Sequence, residues 1–247
     1  MEKTKILSIN TLKIIGLISM VFDHIGMILF PEIFFFRIIG RIAYPIFAFA
    51  LVEGCFYTRN RLKHFSLIFI MAILIQVAYY IVIRDYSLSI FMIFSFSIIL
   101  IYLFDFIYDK TVEIYSEENE NKKKSFLLWF VGVFTFILLI SLIMAFDIMT
   151  PYVAPSYGYQ GVLIPLIVYI VMRFNNHKLY PSYLVLTILL IMMALVRNEY
   201  YNFYTLLAVP FLLLYNGTRG KYNLKYLFYV FYPVHILIIY GISLLIK

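Results

Sequence analysis

The chain consists largely of apolar runs long enough to cross a lipid bilayer, and this pattern limits its fold more than any other feature. A helix needs about 20 apolar residues to span the hydrocarbon core, where only helices and closed barrels satisfy their backbone polar groups. The sequence predicts an all-α fold: a polytopic integral membrane helix bundle with about nine transmembrane helices (range 8–10). They are expected at residues 12–30, 33–57, 64–83, 88–108, 125–146, 160–174, 181–196, 199–215 and 226–246.

The composition supports lipid as the solvent for much of the surface. Hydrophobic residues make up 64% of the 247 residues and charged residues 13%, whereas a soluble domain carries about a quarter charged residues.

The single cysteine, Cys55, allows no internal disulfide, and no Cys/His cluster indicates zinc, so no metal is expected. The first apolar run lacks a small-residue cleavage site and is therefore expected to stay as a helix.

Most of the basic residues of the chain, whose net charge is +7, fall in every second loop. In a soluble protein this charge would suggest nucleic acid, but in a membrane protein such loops set the topology. The pattern predicts the N-terminus inside and the C-terminus outside. The basic loops contain Lys3, Lys5, Lys13, Arg59, Arg61, Lys63, Lys110, Lys122, Lys123, Lys124, Arg173, Lys178, Arg219, Lys221 and Lys225.

The whole chain, 1–247, is expected to form a single transmembrane domain. Residues 109–124 are the one soluble-looking stretch, with alternating Glu and Lys, and are expected to form a solvated cytoplasmic loop. The second apolar segment is long and is expected to be tilted, or broken at Pro45.

The first apolar segment carries Asp23 and His24 at membrane depth, where ionisable residues are expensive and usually functional. His24 can take and return a proton. Lys13 precedes it by eleven residues, which places both within roughly 20° of one helix face and about 16 Å apart along the axis. A structural alternative stays open: Lys13 snorkels to the interface and His24 bonds a neighbouring helix. Asp23 points about 100° away from His24 and is not an automatic partner for its ring.

The second segment carries Arg37 and Arg41, one turn apart on one face. They lie near the predicted outer end and break the positive-inside pattern, so a partner such as a buried carboxylate or an anionic group explains them better than topology does. Glu53 lies near the inner end of the same segment. It is expected to pair with Lys13 or a loop Arg, in a structural or a functional role.

Two inner loops resemble each other chemically, residues 57–61 and 216–221. Each combines a small or hydroxyl residue with Arg and Asn, a mixture that holds phosphates by charge and by backbone N–H groups. Basic inner loops are also the general rule, so the feature alone is weak. The candidate phosphate-binding residues in these loops are Arg59, Asn60, Asn216 and Arg219.

The last segment contains Pro233 and His235. Pro233 frees a backbone carbonyl, and His235 either answers that carbonyl or joins the His24 site; both alternatives stay open. His64 and His177, in basic inner loops, are expected to be solvated.

At these positions the sequence resembles the TraX family of bacterial membrane proteins, a family named for pilin N-terminal acetylation. The resemblance runs nearly end to end, except for residues 85–150, which match in little besides hydrophobicity. The 12–24 block also resembles the pattern of a basic residue, a ten-residue gap and a His in the acyltransferase-three family of membrane O-acetyltransferases. The matching runs are residues 12–26, 37–49, 52–60, 215–220 and 231–235.

The resemblance implies a membrane-embedded acetyltransferase in the cytoplasmic membrane of a bacterium that takes acetyl-CoA from the cytoplasm. Lys13 and the four loop residues above would hold its phosphates, and we group Glu53 with these donor-binding candidates. His24 would deprotonate an amine or hydroxyl acceptor, such as a protein N-terminus or a glycan, or carry the acetyl group itself. Arg37 and Arg41 would orient a carboxylate such as Asp23 or Asp147, or stabilise the oxyanion. Two other classes stay open: a small transporter or flippase, which usually shows related halves that are not apparent here, and a non-catalytic assembly factor.

Overall fold

The computed structural model describes residues 6–78, 80, 87–116, 122–149, 157–197, 200–221 and 224–246, without the side chains of 225, 226, 228 and 229. Across these ranges the chain is all-α, as predicted. Within them, Leu7 and Tyr215 form an isolated parallel β-bridge.

Six of the described helices are long and apolar enough to cross a membrane, and three shorter helices are also apolar. In chain order, these nine segments coincide with the nine predicted ones, so the protein is a multi-pass membrane protein. The six are Ile9–Ile28, Phe34–Tyr57, Arg61–Ala78, Ile90–Tyr115, Lys122–Met149 and Leu179–Arg197, and the three are Gly158–Phe174, Tyr200–Leu213 and Val230–Ile246.

Two of the nine segments are subdivided. Phe34–Tyr57 consists of two helices, and Tyr200–Leu213 consists of two short helices joined by a 3₁₀ turn, Tyr204–Ala208. The labels used below are α1 (Ile9–Ile28), α2 (Phe34–Gly40), α3 (Ala43–Tyr57), α4 (Arg61–Ala78), α5 (Ile90–Tyr115), α6 (Lys122–Met149), α7 (Gly158–Phe174), α8 (Leu179–Arg197), α9 (Tyr200–Phe203), α10 (Val209–Leu213) and α11 (Lys225–Ile246).

The ends of α1 follow from its sequence. Ser8 is its N-cap, and the Ser8 Oγ accepts a hydrogen bond of 3.2 Å from the backbone N–H of Thr11. Such a cap satisfies one of the backbone donors that the first turn leaves open. At the other end Pro31 follows closely, and proline disfavours helical geometry in the residue before it.

The break in the second segment lies at 41–42, not at Pro45. Helix α2 ends at Gly40 and α3 begins at Ala43, so Pro45 stands in the first turn of α3. Backbone N–H groups in the first turn of a helix have no intrahelical partner. Proline, which lacks this group, is therefore tolerated there. The prediction was therefore right that the segment is interrupted and wrong about where.

The charged stretch 109–124 is more helical than expected. Helix α5 continues to Tyr115 and α6 begins at Lys122, so helix covers both ends of the predicted loop. Lys110 and Glu113 form an ion pair of 2.7 Å on α5, and Ser125 of α6 donates a 2.9 Å bond to Glu113. Residues 117–121 lie outside the described part.

The chain forms two compact units, residues 57–166 and, together, residues 1–56 and 167–247. In the 57–166 unit, α5 packs against both α4 and α6. The buried Asp105 of α5 forms an ion pair with Arg61 at the start of α4. The guanidinium carbon of Arg61 lies 5.2 Å from the Tyr102 ring centre. The Tyr102 hydroxyl is 2.8 Å from the His64 Nδ1. His64 was expected to be solvated, but this contact ties it to α5.

The other unit contains the candidate site. Here α1 packs against α2 and α11, and α8 packs against the α9–α10 segment. Gly16 lets α3 approach α1 closely, because a Cβ at Gly16 would lie 3.0 Å from the Phe47 ring. The N-terminal residues before α1 run beside residues 214–219, which places that loop at the start of α1.

Candidate functional site

Two buried histidines from opposite ends of the sequence meet between α1 and α11. The Nε2 of His235 lies 3.2 Å from the Nδ1 of His24, and the ring centres are 4.9 Å apart. Both side chains are almost fully buried. Of the two alternatives for His235, the structure therefore places it beside His24.

The backbone fixes the tautomers of this pair. The Nδ1 of His24 lies 2.8 Å from the carbonyl oxygen of Met20, and the Nδ1 of His235 lies 2.8 Å from that of Phe231. A carbonyl oxygen only accepts, so each Nδ1 carries the proton. The Nε2 of His235 then has a lone pair, and the single His24 Nδ1–H is shared between the Met20 carbonyl and this lone pair. The Nε2 of His24 also has a lone pair. His24 thus has the tautomer that a base or nucleophile requires.

Aromatic rings hold His235 in place. Phe231 stacks on its ring at a centre distance of 5.1 Å, and Tyr232 meets it edge-on at 5.4 Å. The Tyr232 ring also lies edge-on to His24 at 6.0 Å. Tyr232 is a residue that the sequence did not single out, although it lies within the block that resembles TraX.

Asp23 pairs with Arg37, not with the adjacent His24. The Asp23 Oδ2 lies 3.0 Å from the Arg37 Nη1, so the carboxylate faces α2. The angular offset on α1 had predicted that Asp23 points away from His24. Gly40 makes this approach possible, because a Cβ there would overlap the Asp23 carboxylate. Gly26 serves the same contact, since a Cβ there would lie 2.7 Å from the Phe36 Cβ.

Arg41 has a different environment from Arg37. It is the C-cap of α2 and is buried, and its guanidinium carbon lies 5.9 Å from the Tyr201 ring centre. Tyr201 contacts Phe34 at 4.7 Å between ring centres. The structure thus associates Arg37 with α1 and Arg41 with α9. Asp147, the other candidate carboxylate, belongs to the 57–166 unit.

The loop 215–221 is joined to the start of α1 by backbone hydrogen bonds. Leu7 bonds Leu214 and Asn216 at 3.0 and 2.9 Å, and the Ile9 N–H donates to the Thr218 carbonyl at 2.9 Å. Gly220 has φ +90°, and a Cβ there would lie 2.6 Å from the Ser8 Oγ. The first N–H groups of α1 are therefore satisfied by this loop.

The loop also brings two phosphate-binding candidates near Lys13. Asn216 organises the turn, because its Oδ1 accepts from the Thr218 N–H at 3.0 Å and the Thr218 hydroxyl at 2.7 Å. Arg219 is exposed, and its carbonyl accepts from the N–H of Asn10 at 3.4 Å. Lys13 is half-buried one turn further along α1.

Glu53 is buried in α3 and meets groups from several elements. Its Oε2 accepts from the Tyr215 hydroxyl at 3.3 Å, and its Oε1 lies 3.9 Å from the His177 Nε2. Lys13 attracts its carboxylate electrostatically, as expected. His177, which we expected to be solvated, instead packs on Phe56 with ring centres 4.2 Å apart.

Neither Tyr215 nor His177 was predicted from the sequence to have a role in the site, and His177 was expected to be solvated. Tyr215 opens the 215–220 block, which was its one signal. His177 had none: it follows α7 in a turn where both Asn176 and His177 have positive φ, 49° and 62°. Burial in this turn lowers the pKa of His177 below its usual 6.5.

The remaining two candidates, Arg59 and Asn60, belong to the 57–166 unit. Asn60 caps α4, because its Oδ1 accepts a 2.8 Å bond from the Lys63 N–H, so one of its two polar atoms has a structural role. Arg59 is exposed in the same turn.

Comparison with known proteins gives one match over nearly the whole chain. The family model described as "TraX protein" matches residues 8–243. An uncharacterized protein of Rickettsia prowazekii (strain Madrid E) is 52% identical over 40 residues, which is 16% of this chain and 16% of that protein. No solved structure matches the chain.

Proposed function

On the premise that this chain belongs to the TraX family, we propose that it is a membrane-embedded acetyltransferase. It moves an acetyl group from acetyl-CoA to an amine or hydroxyl acceptor, such as a protein N-terminus or a glycan. The observation that carries the proposal is the 3.2 Å contact between His24 and His235, a buried imidazole pair with both Nδ1 protons held by backbone carbonyls.

His24 is the proposed catalytic residue. Its Nε2 lone pair removes the proton from the acceptor as the acceptor attacks the thioester carbonyl. The tetrahedral intermediate then expels the CoA thiolate, which takes that proton from the His24 imidazolium, so the reaction releases no net proton. In the covalent variant, Nε2 itself attacks the thioester carbonyl and expels the CoA thiolate. The acceptor then attacks the acetyl-imidazolium, which returns neutral His24, and the acceptor's proton goes to the thiolate.

His235 and the Asp23–Arg37 pair act as positioning groups in this scheme. His235 accepts the His24 Nδ1–H bond and so favours the tautomer with a lone pair on Nε2. It also stabilises the positive charge that develops on His24. Asp23 holds Arg37 against α1. Arg37 and Arg41 provide positive charge near the His24 end of α1, for an oxyanion or an acidic group of the acceptor.

The donor is proposed to bind at the other end of α1. Lys13 and Arg219 supply charge for phosphates, and the Asn216–Thr218 turn supports the loop. The length of the donor agrees with this placement. The pantetheine arm has about the backbone length of four residues, roughly 13–14 Å, and Lys13 and His24 are about 16 Å apart along α1.

The proposed orientation puts the donor end of α1 in the cytoplasm. Every second loop is basic, which favours an inside N-terminus and an outside C-terminus in a bacterial cytoplasmic membrane. Acetyl-CoA is a cytoplasmic metabolite, so its phosphates would meet Lys13 and Arg219 from that side. The acceptor would then meet His24 from within the membrane or from the outer face.

The test is acetyl transfer by native membranes. Membranes containing the wild-type protein or His24→Ala are incubated with acetyl-labelled CoA, and the labelled product is identified by mass spectrometry. Label that depends on wild-type protein and disappears with His24→Ala supports the proposal. A His24→Ala variant that transfers label at the normal rate contradicts the mechanism. Absence of both transfer and CoA binding in the wild type would favour a transporter or an assembly factor.

A further inference from the structure

A polar cluster surrounds the Glu53 carboxylate at the Lys13 end of α1. We define the Glu53 cluster as Glu53, Tyr183 and Tyr215, which come from α3, α8 and the loop after α10. All three are buried, with exposures of 6%, 2% and 1%. The ring of Phe49 packs between the tyrosines, 5.3 Å from Tyr183 and 5.7 Å from Tyr215. Three separate elements therefore direct hydrogen-bonding groups into one buried region.

Two atoms of this cluster lack hydrogen-bond partners among the described residues. They are the Oε1 of Glu53 and the hydroxyl of Tyr183. The His177 Nε2, at 3.9 Å from Oε1, is too distant for a hydrogen bond. Glu53 acts electrostatically on the Tyr183 phenol, so the two groups are neighbours, although they do not bond each other.

An unsatisfied buried acceptor and an unsatisfied buried donor are each costly, by about 1–3 kcal/mol. Their retention is explained if a ligand supplies the missing partners. The ligand must donate to Glu53 and accept from Tyr183 within a short distance. An uncharged amide does both. A phosphate or carboxylate would be repelled by Glu53, and a cation would compete with Lys13, which already attracts that carboxylate.

We propose that the Glu53 cluster binds an amide of the pantetheine arm of the donor. This inference rests on the proposed acetyl-CoA-dependent function and specifies which part of the donor the cluster recognises. The arm has two amides between its phosphate end and its sulfur, and the cluster contains Tyr215, the first residue of the 215–221 loop that is proposed to bind the phosphates. Glu53 accepts from the amide N–H, and Tyr183 donates to the amide oxygen.

Binding of donor fragments to the purified full-length protein in detergent tests the proposal. The dissociation constants of CoA and of adenosine 3′,5′-bisphosphate, which lacks the arm, are measured by calorimetry. The variants are Tyr183→Phe, Glu53→Leu and the control Tyr180→Phe, which changes an exposed tyrosine of the same helix. Losing one hydrogen bond should weaken CoA binding roughly 3- to 10-fold.

We expect Tyr183→Phe to bind CoA more weakly than the wild type and to bind the bisphosphate equally well. Without ligand, its melting temperature should equal that of the wild type, because the lost hydroxyl bonds no described group. Tyr180→Phe should match the wild type throughout. Because Glu53→Leu changes a buried charge and can fail to fold, Tyr183→Phe decides the test.

Three results would overturn the proposal. If Tyr183→Phe binds CoA as tightly as the wild type, water and not the donor bonds the two unsatisfied atoms of the cluster. The inference then fails while the proposed function stands. If its affinities for CoA and the bisphosphate fall equally, the cluster contacts the nucleotide or supports the fold. If the wild-type protein binds no CoA, both the inference and the proposed donor fail.

Discussion

The Nε2 of His235 accepts a hydrogen bond from the Nδ1 of His24 across 3.2 Å, although the two residues are 211 positions apart. Each Nδ1 also faces the carbonyl of the residue four positions earlier in its own helix. In the proposed mechanism the two rings therefore have unequal roles: His24 reacts through its Nε2 lone pair, and His235 positions His24. Substitutions at the two positions should therefore have unequal effects on acetyl transfer.

His24→Ala should lower the rate of acetyl transfer by about 10²- to 10⁴-fold, the usual contribution of a general acid–base group. His235→Ala should lower kcat by roughly 3- to 10-fold with little change in KM, because it removes one supporting hydrogen bond. Steady-state rates in membranes with matched protein levels measure both effects. His64→Ala is the control, since His64 bonds Tyr102 in the other unit.

His235→Gln should recover part of the rate lost in His235→Ala, because a glutamine side chain offers an acceptor near the same place. A merely space-filling His235 would give the opposite result, with His235→Leu matching or exceeding the glutamine variant.

Gly40→Ala should disrupt the contact between α1 and α2. The added methyl group overlaps the Asp23 carboxylate, and such overpacking costs about 1–3 kcal/mol. We expect a lower melting temperature and a fall in acetyl transfer similar to that of Asp23→Ala. Gly241→Ala is the matched control: its Cβ would meet nothing within 4 Å, and alanine favours helix. Equal melting temperatures for the two alanine variants would contradict the close packing at Gly40.

Lys13→Met and Arg219→Gln should both weaken CoA binding, but by different amounts. Lys13 is half-buried and its charge is poorly screened, so we expect a loss of roughly tenfold or more. Arg219 is exposed, and we expect roughly 2- to 5-fold. Raising the salt concentration should reduce the loss of CoA affinity in Arg219→Gln more than the loss in Lys13→Met, and titrations at low and high salt measure this difference. Lys122→Gln, on α6, is the control, and an equal loss there would indicate a nonspecific charge effect.

The stability of the protein should fall at mildly acidic pH through His177. Burial lowers the pKa of His177 in the folded state below its usual 6.5, so the unfolded state binds more protons between those two values. Its contribution to stability is fully present above pH 6.5 and is lost as the pH falls towards the folded-state pKa. The melting temperature of the wild type should therefore drop from pH 8 to pH 5 by more than that of His177→Asn.

Asparagine is the right replacement because it tolerates the positive φ of 62° at this position. The lost packing on Phe56 lowers the melting temperature of the variant at every pH, so the comparison concerns the slopes alone. Parallel curves for the two proteins would show that His177 does not titrate in this range.

Much of this protein could be read directly from its sequence. Because lipid admits only segments with satisfied backbones, the length and spacing of the apolar runs predicted nine segments that agree with the helices in order. Helical geometry also predicted that Asp23 faces away from His24, and the structure pairs it with Arg37. The errors were local: the second segment breaks at 41–42 because Pro45 suits a first turn, and α5 and α6 extend into the stretch 109–124.

Contacts between distant elements could not be predicted in this way. Helical periodicity fixes which residues share a face of one helix, but it does not say which helix packs against that face. The partner of His235 and the burial of His177 depended on that choice, and so did the meeting of Tyr215 with Glu53, 162 positions away.

The sequence by itself determined that this is a multi-pass helical membrane protein with ionisable residues at membrane depth, because hydropathy and helical period are local properties of the chain. The tertiary structure decided which of those residues meet. Hydrogen bonds and ion pairs require atoms within about 3–4 Å, and that proximity arises only when α11 packs on α1, α2 packs on Asp23, and the 215–221 loop closes over the start of α1.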